Sequence, residues 1–475
     1  MRILTTLKCL LLALSVVVSF AACNGGDVSS QAPSSNQTDH AEGGPAIRQP
    51  QEEKAVLEDN DHLFVYKSVN WEGPEGYVIV VPHNNASAKE TAEVLRSYYK
   101  DTFDVSLEIK TDKTSAQTKE ILVGKTSRPE SNCDISEEKL SVSVQNGKLI
   151  FDGGHDITVD SAVKKFIRLA PEKNKAFTFD ITTDFKSELE GDLAGYKYVW
   201  GDEFESNGLN SKNWDFAVNM TGSDTVELST DKNVADVQDG RLKLHALSYF
   251  NNDREGTQFR VPASVVTQKK MNYVYGYVEV RSRVPYSQGC WPSFWTRSTD
   301  TLKGSWNEDY MLEVDIYEIF RTTQAHSTIH KWYTAEFDYN KRYDSSKESG
   351  IERNTNTANS NVSTNPNKFT FDSSPNLIYE YHTYGYEWTP TEMKMSVDGK
   401  VFCTFDITKS FDAHNDQASF HDPQYLIFNN HLFHPEVSTA CKSITTAPQS
   451  LPACHYVDYI RLYQKDGVGE LYIGK

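Results

Sequence analysis

The sequence predicts a mainly β protein, an all-β sandwich of about 270 residues preceded by a small α/β domain. Three observations carry that expectation. From about Tyr196 to Gln464, short alternating segments follow one another and long helical periodicity is absent. Turn dipeptides recur between them, including Asp239-Gly240 and Asp398-Gly399. Seven of the eight tryptophans lie at or beyond Trp200, so the C-terminal part differs in character from what precedes it.

The elements follow in order. Residues 1–23 read as an export signal. Arg2 and Lys8 give a positive start, and Cys9 to Phe20 is an apolar run too short to span a bilayer comfortably. Phe20-Ala-Ala-Cys23 resembles the lipobox of bacterial lipoproteins, with Phe20 where Leu is usual. On that reading Cys23 is acylated and the protein is held at the cell envelope or surface. The other reading is ordinary cleavage near Ala22. Residues 24–54 contain no aromatic residue and are rich in Ser, Gln, Gly, Asn and Pro, the composition of a flexible tether.

Residues 55–190 mix strand and helix signals. Tyr77–Val81 and Ile121–Val123 are buried-strand runs, and Val105–Ile109 alternates. Ser87-Ala-Lys-Glu90 is a capping box expected to open a helix to about Tyr99, and Ala162–Leu169 reads as a second helix. Asn146-Gly147 between two apolar runs is a hairpin signal. This block loosely resembles accessory domains that precede catalytic domains in bacterial glycosidases, and none of its residues carries evident chemistry. In residues 196–466 the strand signals include Arg241–Ala246, Tyr275–Val284, Met311–Phe320, Met393–Val397 and Val457–Tyr463.

Composition narrows the partners. Net charge is −18, from 48 basic and 66 acidic side chains, which argues against a nucleic acid. Of seven cysteines, five remain beyond Cys23. An odd number gives no complete disulfide framework, although Cys441 and Cys454 are close enough in sequence to close a short loop.

The chemistry concentrates in Tyr310-Met-Leu-Glu-Val-Asp-Ile-Tyr-Glu-Ile-Phe320. Three acids at this spacing are a weak pattern, with about one chance match expected for acid-x-acid-x-x-acid in a chain this acidic. Its setting is what matters: acids inside an apolar strand cost desolvation energy unless something compensates. Alternation puts Glu313 and Asp315 on one face and would turn Glu318 to the other. A β-bulge near Ile316-Tyr317 would return Glu318 to the face of Glu313. Two convergent carboxyls suit hydrolysis of a glycosidic bond, one attacking and the other donating a proton. Asp315 between them can help separate their proton affinities.

Five ordered blocks then resemble glycoside hydrolase family 16, in its bulged-strand branch of laminarinases, agarases, porphyranases and κ-carrageenases. They are Trp200-Gly-Asp-Glu-Phe204, Tyr275-Gly-Tyr-Val-Glu-Val-Arg281, Trp291-Pro-Ser-Phe-Trp295, Tyr381–Trp388 with Val397-Asp-Gly399, and Val457–Tyr463. The resemblance implies a jelly-roll, concanavalin A-like sandwich and retaining, endo-acting cleavage of a β-linked polysaccharide. It makes Glu313 the nucleophile, Asp315 its assistant and Glu318 the acid/base. Trp291, Trp295 and Trp332 are expected in the cleft as apolar platforms for sugar rings, the competing reading being core packing. His330 lies two residues from Trp332 on the same strand face, and the family often carries a histidine there.

No cofactor is required by this chemistry. Some family members hold a structural calcium where the first and last strands meet, and Glu203 and Asp458 match those positions; the alternative is two ordinary surface acids. A monomer is expected, touching a membrane only through a lipid on Cys23. A transglycosylase would use the same covalent intermediate, whereas a glycan-binding protein on the same sandwich would not need the three acids. Leu312 before Glu313 and Tyr317 before Glu318 depart from the laminarinase pattern, which leaves β-glucan and β-galactan both open.

Overall fold

The structure is a computed structural model. It describes residues 66–474 except 132–133, 170–171, 218–225, 251–256, 286–289, 299–309, 322–323, 334–350, 360–368, 371–379, 409–419 and 433–450. The export signal, Cys23, the tether and Cys441 therefore lie outside the described residues.

Residues 67–182 form an α/β layer around their own core. The strands Val78–Val81, Glu108–Thr111, Glu120–Val123 and Lys148–Gly153 pair in parallel. Lys139–Gln145, Lys175–Thr182 and Lys67–Asn70 extend the sheet antiparallel. Asn146 and Gly147 both take positive φ, 51° and 79°, as a tight two-residue hairpin turn requires. The helices Ala86–Phe103 and Asp156–Arg168 bury Ala88, Ala92, Leu95 and Tyr99, and Val159, Ala162, Val163 and Phe166. These positions recur at helical spacing, so each helix presents one apolar stripe to the sheet.

Both helix starts differ from the sequence expectation. The first is capped by Asn85, whose Oδ1 accepts from the Ala88 N–H at 2.9 Å, rather than by Ser87. The second begins at Asp156, well before Ala162. His155 Nδ1 accepts from the Ile157 N–H at 3.2 Å, and the His155 N–H donates to Thr158 Oγ1 at 3.0 Å. Histidine is not among the usual capping residues, so the start at Asp156 was not announced.

Residues 196–473 fold as the jelly-roll β sandwich expected. One sheet runs, in order, Phe369–Thr370, Ile351–Asn359, Gln324–Tyr333, Tyr310–Arg321, Cys290–Arg297, Tyr425–Leu432, Ser264–Val266 and Asp215–Ala217. The other is built around Ala453–Lys465, which pairs along one side with Gly276–Arg283. Along its opposite side it pairs first with Arg241–Phe250 and then with Tyr196–Asp202. The two sheets share one core, to which Leu242, Val278, Val280, Tyr384 and Ile460 come from the second sheet and Phe294, Val314, Ile316, Leu426 and Phe428 from the first.

The α/β layer is tied to the sandwich by charge. Lys165 and Arg168, in the last turn of its second helix, both pair with Glu205, Arg168 at 2.7 Å. Asp184, just past its last strand, pairs with Arg461 at 3.0 Å and accepts from the Tyr459 hydroxyl at 3.1 Å. Cys290, Cys403 and Cys454 are buried; Cys454 carries no disulfide and so closes no loop, and burial pushes its thiol up to about 12.

His431 and His455 are buried in the sandwich and His245 is partly buried, and desolvation lowers the pKa of each to about 4. The folded state therefore binds fewer protons than the unfolded chain below about pH 6.5. Their stabilisation is complete above that pH and is lost progressively as pH falls to about 4, up to on the order of 3 kcal/mol each. Glu203 and Glu279, whose carboxyls burial raises, oppose this in part. Thermal melts between pH 4 and pH 8 should show the melting temperature falling below pH 6.5; a flat profile would contradict the assignment of three neutral imidazoles.

Candidate active site

The strand Tyr310–Arg321 lies between Cys290–Arg297 and Gln324–Tyr333. Leu312, Val314 and Ile316 point into the shared core, which turns Glu313 and Asp315 outward. Regular alternation would then bury Glu318. Instead the register breaks. Trp295 pairs with Asp315 while the adjacent Phe294 pairs with Tyr317, so Ile316 is an extra residue. On the other side Thr328 pairs with Asp315 and His326 with Glu318, with Ser327 alone opposite two residues. Ile316 and Tyr317 both enter the core, and Glu318 returns to the outer face. This is the bulge expected at Ile316-Tyr317.

The neighbouring strand alternates in step. Phe294 joins the core and Thr296 is fully buried, so Trp291, Ser293, Trp295 and Arg297 share the face of the acids. The Trp291 indole N–H donates to Glu318 Oε1 at 2.9 Å. Such a donor can bond a carboxylate or the carbonyl oxygen of a protonated acid, so it orients Glu318 without fixing its charge. Arg297 Nε lies 3.8 Å from Glu313 Oε2. The two glutamates thus sit beside different partners, a cation for Glu313 and a neutral donor for Glu318.

Trp295 is on the expected face but only 8% exposed, packed with Val266, Tyr425 and Ile427. Its indole N–H donates to Asn429 Oδ1 at 2.5 Å. Little of the ring remains to meet a sugar, so Trp295 serves as a wall of the site more than as a platform. His330 and Trp332 pair in register with Glu313 and Met311. Their side chains lie outside the described residues.

Sequence reasoning missed Arg297 and Asn429. Arg297 was within reach, since it continues the alternation of Trp291, Ser293 and Trp295. Asn429 carried one signal, a polar pair Asn429-Asn430 inside the apolar run Tyr425–Leu432.

The calcium pair does not fit a metal. Both oxygens of Glu203 accept from Arg461, each at 2.8 Å, and Asp458 accepts from Arg281 at 2.6 Å. Guanidinium groups take the lone pairs that a divalent cation would need.

Two glutamates and an aspartate on one strand face suit the breaking of a glycosidic bond by paired acids, and the class that fold and site define is the glycoside hydrolases. Comparison with known proteins narrows the class. Residues 212–425, within the sandwich, match the family described as Glycosyl hydrolases family 16. The glucan endo-1,3-beta-glucosidase of Cryptopygus antarcticus is 26% identical over 265 residues, covering 54% of this chain and 86% of that protein. The beta-glucanase of Rhodothermus marinus is 26% identical over 279 residues, covering 57% of this chain and 85% of that protein. Among solved structures, one described among endo-acting O-glycanases with which human gut microbiota initiate mucin breakdown is 24% identical. It covers 59% of this chain and 94% of its own, with a TM-score of 0.44.

Proposed function

We propose that the protein is a retaining, endo-acting hydrolase of β-glucans that contain 1,3 linkages. The observation that carries the proposal is the bulge, which puts Glu313, Asp315 and Glu318 on one face of one strand beside Trp291 and Arg297. The glucanase relatives support the choice of substrate.

In the first step Glu313 attacks the anomeric carbon while the bond to the leaving oxygen breaks and Glu318 gives that oxygen its proton. In the second, Glu318 takes a proton from water, the water attacks the same carbon, and Glu313 leaves. Asp315 assists by a hydrogen bond to Glu313. Transfer to a sugar in place of water would use the same intermediate. The leader and Cys23 support export and anchoring by lipid, with the polysaccharide met outside the cell.

The test is a screen of purified protein against laminarin, mixed-linkage glucan, agarose, porphyran and carrageenan, with the first products followed by proton NMR. Laminarin and mixed-linkage glucan should fall to oligosaccharides whose new reducing ends begin as the β-anomer. Release from galactans alone would overturn the substrate, and an initial α-anomer would overturn retention. An intact mass without acyl groups on Cys23 would remove the anchor.

A further inference from the structure

A chain of buried hydrogen bonds lies directly behind the bulge. Tyr317, which the bulge turns inward, is fully buried. Its hydroxyl is 2.9 Å from Ser282 Oγ and 2.9 Å from His455 Nε2. His455 Nδ1 is 3.1 Å from the backbone carbonyl oxygen of Asn429.

Chemistry assigns the donors. A carbonyl oxygen only accepts, so Nδ1 carries a proton. Burial keeps the imidazole neutral, with its pKa lowered to about 4, so Nε2 is a bare acceptor. Tyr317 therefore donates to His455, and Ser282 donates to Tyr317. On the outer side of the sheet, Asn429 holds the Trp295 indole through Oδ1 and donates to Ser293 Oγ at 2.8 Å through Nδ2. The chain thus joins the bulge, the strand Ala453–Lys465 of the opposite sheet, and the strand Tyr425–Leu432 beside the site.

We propose that Tyr317 and His455 are positioning residues: their hydrogen bond across the core fixes the register of the bulge and thereby where Glu318 presents its carboxyl. The inference rests on Glu318 being the acid. A bulge has one residue more than its partner strands, and backbone pairing alone does not decide which residue is the extra one. Ile316 would tolerate a slip, being an aliphatic side chain in an aliphatic core. Tyr317 would not, because a slip strands its hydroxyl and leaves the buried Nε2 of His455 and the hydroxyl of Ser282 without their partner. Its ring is also seated, with its centroid 4.2 Å from that of Tyr384.

The test separates misplaced acid from general damage. A β-1,3-gluco-oligosaccharide has a sugar leaving group that needs protonation, whereas a 2,4-dinitrophenyl β-laminaribioside has one that does not. Tyr317→Phe should lose roughly 30-fold in kcat/KM, which reports the first step, on the oligosaccharide, and less than about 3-fold in kcat/KM on the aryl substrate. His455→Leu should match it, and His455→Gln, which can still accept from Tyr317, should recover most of the rate. Equal losses on the two substrates, or no difference between His455→Gln and His455→Leu, overturn the positioning role. Glu318→Ala run in parallel should show the same substrate contrast more strongly. If that control alone lacks the contrast, the acid assignment fails instead.

Discussion

Glu313→Gln is expected to reduce turnover of glucan by about 10⁴-fold or more, roughly 5 kcal/mol of transition-state stabilisation, while the protein stays folded. A carboxamide has the shape of the carboxylate but is a far poorer nucleophile and carries no charge for the developing oxocarbenium to meet. The fold has little to lose, because Glu313 projects from the outer face while Leu312 and Val314 supply the core contacts of that stretch. The contact with Arg297 is long, 3.8 Å, and adds little to stability. Reducing-end assays together with circular dichroism check both halves of the expectation. A second measurement identifies the role: Glu313→Ala supplied with azide should accumulate an α-glycosyl azide from the aryl substrate, since a small anion can enter the space the nucleophile vacates. Full activity in Glu313→Gln would remove it from the mechanism.

The second large effect concerns stability. Arg461→Met should lower the melting temperature by roughly 10 °C, from a loss of about 3–5 kcal/mol. Arg461 is 1% exposed and stacks 3.6 Å from the centroid of the Tyr459 ring. It satisfies both oxygens of Glu203 and pairs with Asp184. Burial raises the Glu203 carboxyl even with the arginine beside it, so removing the cation leaves that carboxyl with desolvation uncompensated. The same change frees Asp184 and loosens the α/β layer from the sandwich. Arg281→Met, which breaks the more exposed pair with Asp458, should cost less than about 1 kcal/mol. Equal shifts for the two variants in differential scanning calorimetry would contradict this account of Arg461.

What could be read from the sequence was what depends on near neighbours. Alternation across Tyr310–Phe320 located the acids, and the mismatch of Glu318 with that alternation located the bulge. Asn146-Gly147 gave its hairpin because the turn needs two residues at positive φ. The helix starts were misjudged because Ser87-Ala-Lys-Glu90 offered a competing capping box two residues past Asn85, and because His155 is not a usual capping residue. The tertiary partners were beyond reach. Arg461 and Glu203, or Tyr317 and His455, are far apart in the chain, and nothing local distinguishes Arg461 from any other arginine in an alternating strand. The same limit applied to Glu203 and Asp458: both were seen as acids near the joined strands, but the arginines beside them come from positions that only the sheet register brings close.

The strand Ala453–Lys465 has a consequence for how the molecule is made. It sits inside its sheet, not at the edge, and both flanking strands come from far upstream. Until it arrives, Arg241–Phe250 and Gly276–Arg283 each offer an unsatisfied row of amides and carbonyls, which invites pairing with other chains. Assembly is therefore dominated by distant contacts and commits late, which makes it slow. A nascent polypeptide interrupted before residue 453 would lack the central plank and present two sticky borders, a substrate for proteases and chaperones more than a weakened enzyme.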